Sequence, residues 1–483
     1  MTIEKSNATV FSFENGNILQ ACFYTLLALI VWLPIPLGSN RPWAWSIMEF
    51  VSFVILAVVV ARMPAKTFAE QLKTYWPLAL GMLLFLLYQV LQLVPLPVNV
   101  VQALSPNTVL VQNHGSLHSD WLSIAVDPNQ AMIATLKACS YFAIMLSVLL
   151  LVTDFKRLKL LLVAIVIACT WQAFYGSIMA LSGQEQSFFW SMNNSSTANG
   201  SFVYRNHFAN FLIMGLAIGL GYLVATLDKN SEDKESRKDK ATRWLTSMVS
   251  GKAALRVALA IMVIALVLSR SRMGNTAFFA ALTVTGILAF FLLRHKSKSL
   301  GFLLISVLII DTFILGAYFG IDKVKTRIEQ TSISSEARVD FNQYSWQLVK
   351  LFPRVGTGGG GYYTVFPLVQ GDDINAFLDH AHNDYLQFAI EYGIPATLWL
   401  GIVVLVSLGQ GVVAMRRRRS KLLQGVGFAT TLAIIGMLLH ISVDFNLQAP
   451  ANAAYFHIVL ALAWIANNGL KSKNSLKPNR NVL

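Results

Sequence analysis

The side chains able to do chemistry are densest at His380-Ala381-His382-Asn383-Asp384-Tyr385-Leu386-Gln387, followed by Glu391, Gly393 and Pro395. Read as a helix, this stretch sets His380, Asp384, Gln387 and Glu391 on one face, because residues so spaced lie above one another. Histidine ordinarily changes charge near neutral pH, so His382, with His380 as a neighbour that positions it, can take a proton from a hydroxyl. Asp384 and Glu391 are expected either to orient the imidazole or to face water, and Asn383 is also a plain helix N-cap. Two histidines beside carboxylates make half of a zinc site. No third ligand stands at a recognisable spacing, so the expectation is a metal-free site with no cofactor.

The elements that must position these residues are membrane spans. Of the 483 residues, 55% are hydrophobic and only 13% charged, more apolar surface than a soluble domain can hide. The apolar residues fall in blocks of about 20, the length that crosses roughly 30 Å of hydrocarbon. Strict alternation is absent, which argues against an outer-membrane barrel. Twelve spans are read: 17–36, 44–62, 75–95, 131–151, 158–181, 204–227, 253–270, 273–293, 299–320, 394–414, 422–443 and 453–469. The first follows a polar tail holding Glu4 and Glu14 and reads as a retained span, not a signal peptide. The expected class is all-α, a polytopic membrane protein with a large helical loop between its ninth and tenth spans.

Orientation follows from the Lys/Arg bias. With the N-terminus inside, most of the 38 Lys and Arg fall in cytoplasmic segments, including Lys156-Arg157-Lys159, Arg294-Lys296-Lys298 and the run Arg416–Arg419. Both termini are then cytoplasmic. The net charge of +14 is mostly this topological signal and calls for no nucleic-acid partner. Cys22, Cys139 and Cys169 sit inside spans without metal or redox spacing.

Three divisions follow, with no internal repeat. Residues 1–190 are an N-terminal membrane region of five spans with an outward loop at 96–130. Residues 191–470 are a second membrane domain, with a cytoplasmic loop at 228–252 and an outward loop at 321–383. Residues 471–483 are a cytoplasmic tail. The segment Asp228–Arg243, mixed in charge and poor in apolar residues, reads as a solvated linker. The first outward loop holds Asn113, His114, His118, Trp121 and the Asp127-Pro128 turn. In the second, Ala337–Phe352 places Phe341, Tyr344, Leu348, Leu351 and Phe352 on one helical stripe. Ser334 or Ser335 caps that helix with Glu336 in its first turn, and Pro353 stops it. Gly356–Gly361 then makes a flexible turn, without the Gly-Lys-Ser/Thr of a phosphate loop. The whole reads as a small folded cap.

Arg205, Arg270, Arg272 and Arg338 all map to the outward side, against the bias that draws arginine inward. A planar fork that stays charged suits a clamp on phosphate oxygens. Lys137, His440 and Asp444 lie near the outward ends of their spans, placed to line the same cavity. Asp311 falls near mid-span, where a charge is costly.

Four stretches resemble the O-antigen ligase and polymerase superfamily of bacterial membrane glycan transferases. They are Gly200-Ser201-Phe202-Val203-Tyr204-Arg205-Asn206-His207-Phe208-Ala209; Ser269-Arg270-Ser271-Arg272; Ser335-Glu336-Ala337-Arg338 with Val355-Gly356-Thr357-Gly358; and His382-Asn383, nine residues, then Gly393. The last looks like the ligase pattern H-N-x9-G-x-x-(G/T/Y), from which Ala396 departs. The similarity covers roughly 199–400. It implies a multi-pass protein of the bacterial inner membrane with a periplasmic site. The implied donor is a glycan on undecaprenyl diphosphate, and the acceptor a hydroxyl of lipid A core, a growing glycan or a protein. These correspond to a ligase, a polymerase and a protein O-oligosaccharyltransferase in lipopolysaccharide or polysaccharide biosynthesis. On that reading His382, with His380 and Asn383, is catalytic; Arg272, Arg338, Arg205 and Arg270 hold the diphosphate; Asp384 and Glu391 support them.

The competing class is a transporter or flippase, since twelve spans with a charged loop after the sixth outline a major-facilitator carrier. Such carriers often hold G-x-x-x-D-R between spans two and three, where this chain has Ala61-Arg62-Met63-Pro64-Ala65-Lys66. The polar weight also sits at the outward surface instead of mid-membrane. Both points favour a transferase.

Overall fold

The computed structural model describes residues 2–113, 119–190, 196–226, 251–293, 341–371, 374 and 378–470. Among the described residues, ten helices are long and apolar enough to cross a membrane. They are α1 (Thr2–Trp32), α2 (Pro42–Arg62), α3 (Ala65–Leu93), α6 (Pro128–Leu151), α7 (Phe155–Leu181), α8 (Arg205–Thr226), α9 (Gly251–Leu268), α10 (Arg272–Leu292), α12 (Asp384–Arg417) and α13 (Lys421–His440). Between them lie the short α4 (Val98–Leu104) and α5 (Pro106–Asn113) and a loop helix, α11, at 341–351. A last helix, α14, spans Pro450–Asn468.

The ten helices coincide with ten of the twelve spans read from hydropathy. The ninth, 299–320, lies outside the described residues, as do Asp311, Arg338, the capping serines 334–335 and the linker around 228–243. The twelfth is realised as α14, which is not among the ten and is buried nearly throughout. A helix walled in by α6, α12 and α13 needs no lipid-facing coat. Burial sorts the others likewise: 83% of the α8 span and 78% of the α13 span are inside, against 22% for α12. Small residues let α8 and α13 touch, since a Cβ on Gly221 would stand 2.3 Å from the Gly425 carbonyl oxygen.

Side-chain caps start several helices. Asp127 accepts from the Asn129 and Gln130 amides before α6, Asp154 from Lys156 and Arg157 before α7, and Ser271 from Gly274 before α10. Short strands β1 (Leu96–Pro97) and β2 (Trp121–Leu122) pair antiparallel within the first loop.

The two long loops form one cap. The Val126 amide donates to the Thr357 carbonyl, Asn107 Nδ2 to the Leu351 carbonyl, and the Tyr363 hydroxyl to Asp127 Oδ2. Leu348 and Phe352 of the expected stripe are buried with Val126, Tyr362 and Phe366, and Phe341, Tyr344 and Leu351 pack at the margin. The helix ends before Pro353, as expected.

The Gly356–Gly361 segment departs from its reading as a flexible turn. The Thr357 and Gly358 amides donate to the Ile390 and Glu391 carbonyls. From α3, Tyr88 Oη and Gln92 Nε2 both reach the Val355 carbonyl at 2.7 Å. Glycine is needed here for close approach: a Cβ on Gly356 would lie 2.4 Å from the Glu391 carbonyl oxygen. Opposite it, Gly393 breaks α12 with φ 77° and ψ 162°. A Cβ there would meet the Arg354 carbonyl at 2.4 Å. The span read as 394–414 therefore begins just past this kink.

Candidate functional site

One aromatic ring gathers the site. Phe445, in the turn after α13, carries His380 stacked on it at 4.5 Å between ring centroids. His382 meets it edge-on at 4.7 Å, as does His207 of α8, and Tyr204 stands at 5.4 Å. The site thus joins the start of α8, the segment before α12 and the α13–α14 turn.

His382 sits in the left-handed backbone region, with φ 51°. Few non-glycine residues occupy it, and a residue so held is fixed by its surroundings. Those surroundings are explicit. On one side Asn383 caps α12, its side-chain oxygen accepting from the Tyr385 and Leu386 amides at 3.0 and 3.3 Å. On the other, the Ala381 amide donates to Gln387 Oε1 at 3.2 Å.

That bond orients Gln387 and, through it, His380. Because Oε1 receives a backbone N–H, Nε2 is the donor; its two hydrogens go to Glu391 Oε1 and His380 Nδ1, both at 3.0 Å. His380 Nδ1 is then an acceptor, and the neutral ring carries its proton on Nε2. Asp379 Oδ2 stands 3.9 Å from that nitrogen. Burial pushes the His380 imidazole below its usual range, with Lys137 adding and Asp379 opposing. His380 thereby presents its Nε2–H as a hydrogen-bond donor. The Tyr204 hydroxyl is held up, chiefly by burial, with Asp379 and Asp444 adding and Arg41 opposing.

The carboxylates do not face water. Asp384 is fully buried; its oxygens accept from the Leu447 amide at 2.9 Å and Gln448 Nε2 at 3.2 Å. Its own amide donates to the Ile441 and Asp444 carbonyls, so it fastens α12 to the α13–α14 turn. Glu391 is likewise buried, against Gln387 and the amides of Gly360 and Tyr362. Asp384, Gln387 and Glu391 keep the expected helical face, whereas His380 precedes the helix, which begins at Asp384, and folds back onto it.

Asp444 accepts from Asn206 Nδ2 and the Phe445 amide, and His440 Nδ1 faces Asn210 Nδ2 at 3.3 Å. These pairs lock α8 to α13. Arg205 follows Tyr204 directly and is exposed, like Arg272; Arg270 is half-buried. Arg270 has φ 52°, and its Nη1 donates to Ser196 Oγ at 3.3 Å. The Ala198 amide donates to the Leu268 carbonyl, tying the segment before Arg205 to the α9–α10 corner. Three of the four arginines therefore lie at the end of the bundle that bears the histidines. Arg338, and His114 and His118 of the first loop, are outside the described residues.

Of the residues expected to line the arginines' cavity, Lys137 lines instead a cavity beside His380 that Arg205, Arg270 and Arg272 do not line, with its ammonium 3.7 Å over the Trp45 ring. Sequence reasoning missed Phe445, His207 and the role of Gln387. Phe445 carried no signal, being one of 30 phenylalanines. Gln387 stood on the expected helical face.

A multi-pass α-helical membrane protein with a histidine–arginine site at one end of its bundle is the class these features define. Residues 257–401 match the family model described as O-antigen ligase. The matched stretch takes in Arg270, Arg272, Arg338, His380, His382, Asn383 and Gly393, and stops short of Arg205 and Phe445. No curated protein matches the chain.

Proposed function

We propose that this protein transfers a glycan from undecaprenyl diphosphate to an acceptor hydroxyl at the periplasmic face of the bacterial inner membrane. The supporting observation is the histidine pair on Phe445 at the arginine-bearing end of the bundle, in a chain similar to O-antigen ligase over residues 257–401. His382 takes the proton of the acceptor hydroxyl as its oxygen attacks the anomeric carbon. The bond from that carbon to the diphosphate oxygen breaks, and undecaprenyl diphosphate leaves with the bonding electrons. Arg205, Arg270, Arg272 and Arg338 offset the charge that grows on it, and need no metal ion to do so. His380, its proton set on Nε2 by Gln387, donates a hydrogen bond that orients the acceptor. Asp384, Asp444 and Asn383 hold the backbone on which these groups stand.

Ligase, polymerase and protein O-oligosaccharyltransferase share this chemistry and differ in acceptor. The test is reconstitution in liposomes with a lipid-diphosphate glycan and candidate acceptors. Transfer that persists in excess EDTA is expected. No transfer to any glycan, lipid or protein acceptor overturns the reading; transfer lost with EDTA and restored by Mg²⁺ or Mn²⁺ moves the arginines' role to an ion.

A further inference from the structure

Between Lys73 and Asp120 the chain holds no Lys, Arg, Asp or Glu. The first part of that run, Thr74–Leu93, is the remainder of α3. Its 20 residues rise about 30 Å at about 1.5 Å each, the thickness of the hydrocarbon core. The boundary of that core therefore falls near Val94. A further 26 residues, 94–119, run on without a charge, whereas the 16 residues of the Asp228–Arg243 linker hold 11. A loop surrounded by water has no reason to exclude charge; one that touches lipid does.

The side that touches lipid is legible in α4. Val101 turns into the protein and is fully buried. Val100, Ala103 and Leu104, at i, i+3 and i+4, are exposed on one side, and Asn99 and Gln102 on another. One side in protein, one apolar and one polar are the three sectors of a helix lying in a membrane surface. The apolar side continues a stripe on α3, where Leu80, Leu83, Leu87, Leu91 and Val94 are exposed one above another. Beside α4, Trp121 pairs with Pro97 and is 60% exposed, and Trp76, toward the other end of α3, is exposed too. Tryptophans so placed suit the two interfaces of a bilayer. Arg354 Nη1 reaches the Ala103 carbonyl at 3.5 Å, which sets a guanidinium at the edge of the apolar side, as suits lipid phosphate. A protein partner fits poorly: stable interfaces bury roughly 800 Å² on each side with about 20–30 residues, and Val100, Ala103, Leu104 and Trp121 fall far short of that.

We propose that α4 and Trp121 form an interfacial anchor, dipping into the lipid leaflet on the side of the site. The anchor is tied to the cap. Asn107, in α5, donates to the Leu351 carbonyl, and the Ala125 amide donates to the Gln92 carbonyl near the end of α3. The cap is thereby held at the level of the lipid headgroups. None of this depends on the transfer reading.

The test is nitroxide scanning of the full chain in nanodiscs of phosphatidylethanolamine and phosphatidylglycerol, with Cys22, Cys139 and Cys169 changed to Ala. Labels are placed at Val100→Cys, Ala103→Cys, Leu104→Cys and Trp121→Cys on the apolar side, and at Asn99→Cys and Gln102→Cys on the polar side. Leu91→Cys in the α3 stripe is the lipid reference, and Glu185→Cys, exposed in the loop after α7, the water reference. Power saturation compares collisions with oxygen, which concentrates in lipid, and with a neutral nickel chelate, which stays in water. Oxygen collisions should exceed nickel collisions at the four apolar positions, as at Leu91→Cys. The order should reverse at Asn99→Cys and Gln102→Cys, as at Glu185→Cys. Nickel contact at all four apolar positions puts α4 in water and overturns the proposal. Protection from both reagents overturns it as well, since a protein surface then covers α4, and so does one equal reading at all six positions. Ala103→Cys changes the helix least and decides the question where a bulkier replacement misfolds.

Discussion

Truncating each histidine in turn separates base from donor. His382→Ala removes the proposed base, a contribution of about 10²–10⁴-fold, or roughly 2.7–5.4 kcal/mol of barrier at about 1.36 kcal/mol per decade. His380→Ala removes one neutral hydrogen-bond donor, worth about 0.5–1.5 kcal/mol, so roughly 2- to 13-fold. Neither should unfold the protein: His382 gives up ring contacts with Phe445 and Phe341, and His380 its stack on Phe445 and the Gln387 hydrogen bond, about 0.5–1.5 kcal/mol each, against a typical total of roughly 5–15. His382→Asn is the backbone control, since asparagine tolerates the left-handed conformation at φ 51° but cannot act as the base. The assay measures glycan transfer and retention of the lipid-diphosphate donor side by side in membranes of equal protein content. Transfer should vanish in both His382 variants while donor retention stays near wild type. Normal transfer by His382→Ala refutes the assignment, as does a larger loss in His380→Ala.

Three further outcomes are expected. Because burial lowers the folded pKa of His380, its neutral form is stabilised by folding, and that stability is lost as pH falls below the ordinary value of about 6.5. Melting temperature should therefore drop less between pH 7 and about 5 in His380→Phe, which keeps the stack, than in the wild type; equal drops contradict it. Arg272→Lys and Arg338→Lys keep the charge but lose the fork, and each should cut turnover strongly at unchanged membrane abundance. Near-normal activity in both assigns them to structure. Alkaline phosphatase fused after Gly371 should be active and after Asp239 inactive; the reverse pattern takes the site out of the periplasm.

Much of the framework was legible in the amino-acid sequence, because bilayer thickness sets span length and hydropathy is a local property. Ten spans fell where the apolar blocks stood, and the stripe from Phe341 to Phe352 became the buried face of α11. His382-Asn383 and Gly393 were visible as a motif, and Asn383 caps α12 as its residue type suggests. Tertiary structure decided what those residues touch. The glycines from 356 to 361 showed their freedom in the sequence but not the bonds from Tyr88, Gln92 and α12 that remove it. Whether Asp384 and Glu391 orient the imidazole or face water was open in the sequence; the α13–α14 turn and the glycine segment close over them. Phe445 gathers three histidines from two distant parts of the chain. Apolar periodicity needs only near neighbours in sequence. The partner of a buried polar group is supplied by segments hundreds of residues away, so only the folded chain reveals it.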